Sequence, residues 1–221
     1  MIANNRLLQT FNILATKSRL HGIPTPIIAI TGGIATGKST VVEYLIQKGF
    51  AVLCADKLIK EIYQQEATKS FLKENVSHVI ASNGEIDFKK LRAYTFDNDN
   101  FKQQLEQFLY LKLPEAFWEN YKKIPASPYF FYEVPLLFEK NLQSKVDVIV
   151  LLSTTPQLQL ERLNSRDSST TEINEKIIKA QMSFEIKQTQ AHFILDNNRS
   201  NHDLLVQIDQ LLSNLPLILK P

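Results

Sequence analysis

Gly32-Gly33-Ile34-Ala35-Thr36-Gly37-Lys38-Ser39-Thr40 is the stretch of this chain whose residue types and spacing point most directly to chemistry. A glycine, four residues and then Gly-Lys-Ser is the pattern of a phosphate-binding loop. Such a loop aims backbone N–H groups and the positive end of the following helix at one point, where an anionic phosphate belongs. The flanks suit it. Ile27-Ile28-Ala29-Ile30 is apolar and β-branched, like a buried strand, and Val41-Val42-Glu43-Tyr44-Leu45-Ile46 can wind into a helix. The pattern arises by chance in roughly one chain of this length in a hundred, and correct flanks make chance rarer still. The ligand expected from these residues is a nucleoside triphosphate.

The rest of the chain supplies elements that could position the loop. Candidate strands are residues 26–31, 50–54, 129–134, 146–152 and 192–196, with helix-period segments between them. That alternation predicts an α/β fold, a parallel five-stranded sheet with helices on both faces. Sites in such sheets form beyond the carboxyl ends of the strands. The rule selects the segments after Cys54 and Glu133, and Asp196-Asn197-Asn198. Residues 57–125 lack a good strand. Phe101, Leu105, Phe108, Leu109, Leu113 and Phe117 recur there at spacings of three and four, which predicts an all-helical insertion packed by its own stripe. Pro114 is expected to kink that helix or to start a new one. Residues 164–171 read as a polar loop, and Arg162 and Arg166 share a face if the preceding helix reaches that far.

Composition bounds the partners. The 221 residues carry 25 Lys and Arg against 23 Asp and Glu, a net charge of +2. Nothing in that balance argues for nucleic acid or an anionic membrane. Cys54 is the one cysteine, so no internal disulfide can form, and a reducing, cytoplasmic setting fits. No apolar run approaches the roughly 20 residues of a membrane helix. Residues 1–24 contain no acidic residue, carry Arg6, Lys17, Arg19 and His21, and could place Leu7, Leu8, Phe11 and Leu14 on one helical face. They read as an organellar transit peptide, an amphipathic docking helix, a leader, or a dispensable or locally packed extension.

A phosphate loop alone does not separate kinases from GTPases, motors or transporter subunits. The Asn-Lys-x-Asp run that reads guanine is absent, and the arginine pair beside a polar loop suits the lid of a small-molecule kinase. Four segments then resemble the dephospho-coenzyme A kinase family. They are Thr31-Gly32-Gly33-Ile34 with Gly37-Lys38-Ser39-Thr40; Ala55-Asp56; Glu133-Val134-Pro135-Leu136-Leu137-Phe138-Glu139; and Gln159-Leu160-Glu161-Arg162 with Arg166-Asp167, Ala180-Gln181-Met182 and Asp196-Asn197-Asn198. The run from Glu133 to Glu139 is the most specific, because generic phosphate-loop proteins lack it.

The resemblance implies ATP and Mg2+, and a small-molecule substrate, dephospho-coenzyme A, phosphorylated on its ribose 3′-hydroxyl. It implies an extension at 1–24, a core of 25–56 and 126–221 with a lid at about 162–185, and a helical substrate domain at 57–125. A monomer or weak homo-oligomer is expected. Lys38 would bridge the β- and γ-phosphates, Ser39 would ligate Mg2+, and Thr40 would lie near the α-phosphate, with Gly33, Ala35, Thr36 and Gly37 completing the cradle. Asp56 would orient or deprotonate the hydroxyl, or cap the next helix. Glu133 would hold Mg2+ through water or bond to backbone. Arg162 and Arg166 would act as lid arginines or stay on the surface, and Asn197 and Asn198 would meet adenine or shape a turn. Other readings of the same residues are a related kinase with another small acceptor, and a nucleotide-binding regulator without transfer activity.

This chain departs from the family pattern in places. Ala35 stands where the family usually has glycine, and a methyl there requires a negative φ. Cys54 replaces the first aspartate of Asp-Ala-Asp, leaving Asp56 as the carboxylate. The family's His-Pro falls at Tyr110-Leu111. The family is more basic near Lys187-Gln188-Thr189-Gln190, where glutamines weaken phosphate binding.

Overall fold

The computed structural model describes residues 2–3, 13–166 and 170–219. Two compact units divide the chain, Met1–Cys54 with Pro125–Pro221, and Ala55–Ile124. In chain order the strands are β1 (Ile2–Ala3), β2 (Ile27–Gly32), β3 (Val52–Cys54), β4 (Phe130–Glu133), β5 (Val148–Ser153) and β6 (Phe193–Asp196). The helices are α1 (Lys38–Gln47), α2 (Ala55–Gln64), α3 (Glu66–Val76), α4 (Phe88–Asp97), α5 (Asp99–Tyr121), α6 (Pro156–Arg166), α7 (Thr171–Lys179), α8 (Phe184–Gln188) and α9 (Asn201–Ile218).

The first unit holds one sheet in the order β1-β6-β5-β2-β4-β3. Strands β2 to β6 are parallel, and the two-residue β1 joins the β6 edge antiparallel. Central β2 is buried at every position, which explains its continuous apolar run in place of an alternating one. Val41 and Leu45 of α1 and Leu204, Ile208, Leu211 and Leu215 of α9 pack into one cluster with Ile28, Val150 and Phe193 of the sheet. Ser200 and Asp203 form a reciprocal capping box that starts α9 three residues after Asn197.

Residues 13–24 are built into this unit. Asp147, at the start of β5, accepts from Arg19 Nε at 2.8 Å, Leu14 N at 2.7 Å and Ile27 N at 2.8 Å. Arg19 also donates to the Pro24 carbonyl at 2.7 Å, and Ile23 is fully buried. Residues 13–24 are packed locally onto the unit by these bonds. They form two short 3-10 turns, at Thr16–Ser18 and Leu20–Gly22, so Leu14 does not sit on an amphipathic α-helix. Leu7, Leu8 and Phe11 lie outside the described residues.

The second unit is helical. Phe101, Leu105 and Leu109 join Ile62, Leu72 and Val76 in a buried cluster, with Phe108 and Leu113 packed on it. Phe71 stacks on Phe108 at 4.3 Å between ring centroids. Pro114 starts no new helix. Helix α5 runs through it as one 23-residue element, because burial of Leu109, Ala116 and Phe117 on either side offsets the backbone bond that proline cannot make.

Candidate active site

The loop from Gly32 to Gly37 joins β2 to α1 at the carboxyl edge of the sheet. Gly37 precedes α1 at φ 98°, a left-handed turn that directs the chain into the helix. No side chain caps α1, and its first backbone bond runs from Val41 N to the Gly37 carbonyl at 3.3 Å. The N–H groups of the first turn have no carbonyl ahead of them within the helix, the arrangement that receives an anion. Lys38 Nζ curls over the loop to the carbonyls of Gly32 at 3.0 Å and Gly33 at 2.9 Å. Ser39 is exposed in the same first turn.

Ala35 departs from its expectation. Its φ is +58°, in the left-handed region, and not negative. Its neighbours hold it there. Arg162 Nη1 donates to the Ala35 carbonyl at 3.2 Å, and Thr36 Oγ1 ties back to Gly33 at 2.8 Å. The methyl group therefore stays at a cost of about 1–2 kcal/mol.

Side chains from remote segments fasten this loop. Asn197 Nδ2, just past β6, donates to the Thr36 carbonyl at 2.9 Å, and Arg162 Nη2 donates to the Asn197 carbonyl at 2.9 Å. A Cβ on Gly37 would collide with the Asn197 amide, so close approach as well as φ requires glycine there. Asn198 Oδ1 accepts from Thr155 N at 2.7 Å and so ties the segment after β6 to the segment after β5. Two residues without an assigned role at the sequence level, Gln159 and Gln181, bond to Ile34. A cleft of about 460 Å³ lies against Gly33 and Thr36, with Gln159, Gln181 and Lys187 in its wall.

The other site residues fall as follows. Glu133 ends β4 nearly buried, in register with Ile30 of β2 and Cys54 of β3. Asp56 is exposed in the first turn of α2, which begins at Ala55, so it sits inside that helix and is not its N-cap. A carboxylate there suits the positive end of the helix. Arg166 is exposed at the end of α6, and Asp167 beyond it lies outside the described residues. Tyr110 and Leu111 are exposed on α5. Lys187 spends its charge on a carboxylate of the same unit. Its side chain is 3% exposed and pairs with Glu139 at 2.7 Å, while Glu139 Oε1 also accepts from Met182 N at 3.3 Å.

Among the described residues no three His, Cys, Asp or Glu side chains cluster to hold a metal. Ser39 and Glu133 supply one hydroxyl and one carboxylate, hard oxygen donors that fit a Mg2+ ion taking its remaining ligands from phosphates and water. No described helix is long and apolar enough to cross a membrane.

The family profile for dephospho-CoA kinase matches residues 26–203. The chain belongs to the dephospho-CoA kinase family. A dephospho-CoA kinase of Fusobacterium nucleatum is 34% identical over 185 residues, covering 83% of this chain and 95% of that protein. One from Streptococcus mutans is 31% identical over 196 residues, covering 86% and 98%. Among solved structures, a Thermus thermophilus protein superposes with a TM-score of 0.77 at 28% identity, covering 86% of this chain and 98% of that one. A Campylobacter jejuni dephospho-CoA kinase does so at 0.63 and 27%, covering 86% and 96%. Family membership accounts for the five parallel strands and the loop. Residues 13–24, fixed by the Arg19–Asp147 pair, lie ahead of the segment the family profile matches.

Proposed function

We propose that this protein transfers the γ-phosphoryl group of Mg2+-ATP to the ribose 3′-hydroxyl of dephospho-coenzyme A, giving coenzyme A and ADP. The observation that carries the reading is the loop itself. Lys38 lies over the carbonyls of Gly32 and Gly33 at the uncapped start of α1, in a chain of this family. The N–H groups of Ala35, Thr36 and Gly37 and the Lys38 ammonium receive the β- and γ-phosphates, and Thr40 lies by the α-phosphate. The Ser39 hydroxyl, and Glu133 through water, would hold the Mg2+ ion, which would supply charge neutralisation to the phosphates.

Asp56 accepts the hydroxyl proton as the oxygen bonds to the γ-phosphorus, and the bond from that phosphorus to the bridging oxygen breaks to release ADP. Arg162 and Arg166 add guanidinium charge as the segment around 162–185 closes and excludes water. Asn197 serves the nucleotide through the loop, since its amide is engaged by Thr36.

The test is a panel of acceptors with purified protein and Mg2+-ATP, followed by ADP release and mass spectrometry of the product. Coenzyme A should form from dephospho-coenzyme A, with little ADP release for adenosine or pantothenate. ADP release with another acceptor and none with dephospho-coenzyme A would overturn the assignment.

A further inference from the structure

Both backbone polar groups of Ile34 are gripped by glutamine side chains. Gln159 Nε2, on α6, donates to the Ile34 carbonyl at 2.7 Å. Ile34 N donates to Oε1 of Gln181, in the turn after α7, at 2.8 Å. The orientation of each amide follows from its partner, since a carbonyl requires a donor and an N–H requires an acceptor. Gln159 is 8% exposed, so its amide could not turn to water without loss. The neighbouring glycine makes room for the pair. A Cβ on Gly33 would stand 2.6 Å from Gln159 Nε2 and 3.2 Å from Gln181 Oε1. Gln181 is itself anchored, because the next residue, Met182, donates its N–H to Glu139, the partner of buried Lys187.

We infer that Gln159 and Gln181 are positioning residues. They fix the Ile34 backbone so that the N–H groups following it in the loop converge on a phosphate before the nucleotide arrives. The inference rests on the proposed nucleotide site. An exposed glycine-rich loop samples many conformations, and a loop already ordered does not lose that freedom on binding. The amide groups of both glutamines are engaged by the Ile34 backbone, so each acts through Ile34.

The opposite polarities of the two bonds give the test. Gln159→Glu replaces the donor with a carboxylate facing a carbonyl. Gln181→Glu keeps an acceptor facing an N–H. Both add the same charge beside the same loop, so the difference between them isolates the direction of the hydrogen bond. Calorimetric titration with Mg2+-ADP should show Gln159→Glu binding about tenfold or more weakly than Gln181→Glu. Gln159→Ala and Gln181→Ala should both raise KM for ATP more than they lower kcat. In the nucleotide-free protein they should also speed amide hydrogen exchange across residues 32–37 well beyond the rest of the unit, with a fall in melting temperature of no more than a few degrees. A merely structural role would lower the melting temperature and the active fraction and leave KM alone. If Gln159→Glu does not fold, Gln159→Met, of similar shape and without a donor, takes its place in the comparison, with the same ordering expected. Equal ADP affinity for the two partners of the comparison, or alanine variants with wild-type affinity and exchange, overturns the inference. A wild-type protein that binds ADP but leaves dephospho-coenzyme A untouched overturns the substrate assignment and leaves this contrast standing.

Discussion

Arg162 donates through Nη2 to the carbonyl of Asn197 at 2.9 Å while its Nη1 donates to the carbonyl of Ala35 at 3.2 Å. One guanidinium thus bridges the phosphate loop to the turn after β6. A planar fork can serve two carbonyls at once, and a lysine ammonium, a compact charge on a flexible stem, cannot hold the same geometry. Arg162→Lys should therefore raise KM for ATP as well as lower kcat, with kcat/KM falling about 10- to 100-fold, the cost of one or two charged hydrogen bonds. Initial-rate kinetics over an ATP series would show it. A lysine variant with wild-type KM for ATP would mean that the bridge does not support the loop.

Asp56 lies two residues past β3, in the first turn of α2. If it accepts the hydroxyl proton, Asp56→Asn keeps the size and removes the base. Turnover should fall about 10²- to 10⁴-fold, with KM for ATP little changed. Near-wild-type kcat in a single-turnover assay would remove Asp56 from the chemistry.

The parts legible from sequence are those with local or periodic signatures. The apolar runs of β2 and β5 and the stripe from Phe101 to Phe117 announce themselves by spacing, and the loop does so by pattern. The fastening of the loop does not. Gln159 and Gln181 bond to backbone atoms of Ile34, more than a hundred residues away in the chain, and backbone partners leave no mark in residue identity. The burial of Lys187 leaves no sign in the sequence either, because lysines are rarely buried and its partner Glu139 is 48 residues away. Asp56 reads as a base or as a cap, and the start of α2 at Ala55 decides against the cap. Ala35 shows the same limit, since its φ is set by Arg162 and Thr36 and not by its own preference.

Ala35→Gly should raise stability slightly. Glycine removes about 1–2 kcal/mol of left-handed strain and gives back about 0.4–1 kcal/mol through the greater freedom of the unfolded chain. The net gain lies between about zero and about 1.6 kcal/mol, read as a small rise in melting temperature. Ala35→Val should lower it, because a β-branched residue at φ +58° is more strained still. A glycine variant clearly less stable than wild type would contradict the left-handed backbone at this position.

His21 should make stability fall on mild acidification. Burial, and then the charge of Lys145, push its pKa from 6.5 down to about 4. Between those values the unfolded chain takes up a proton that the folded one refuses, so stability is fully present above pH 6.5 and drains away toward pH 4. Burial shifts His192 in the same direction. The His21 share at pH 5 is up to about 2 kcal/mol. Urea unfolding at pH 7.5 and pH 5 measures the loss, and His21→Asn, which tolerates the same φ of 57°, should flatten it. An equal loss in the variant would assign the effect to other groups.

Arg19 and Asp147 make the strongest claim about residues 13–24. Both side chains are almost fully buried, at 3% and 1% exposure, and Asp147 also accepts from Leu14 N and Ile27 N. Arg19→Met leaves that carboxylate charged in the interior, a loss of about 3–5 kcal/mol. Deleting residues 1–24 removes Arg19 and the Leu14 donor together and should destabilise at least as much. The exposed pair of Lys69 with Glu85 is the contrast, since Glu85→Gln should change stability by less than about 1 kcal/mol. Urea midpoints for the three variants separate the cases. A truncated protein as stable as the full chain would show that the segment is a passenger, the reading of a dispensable extension.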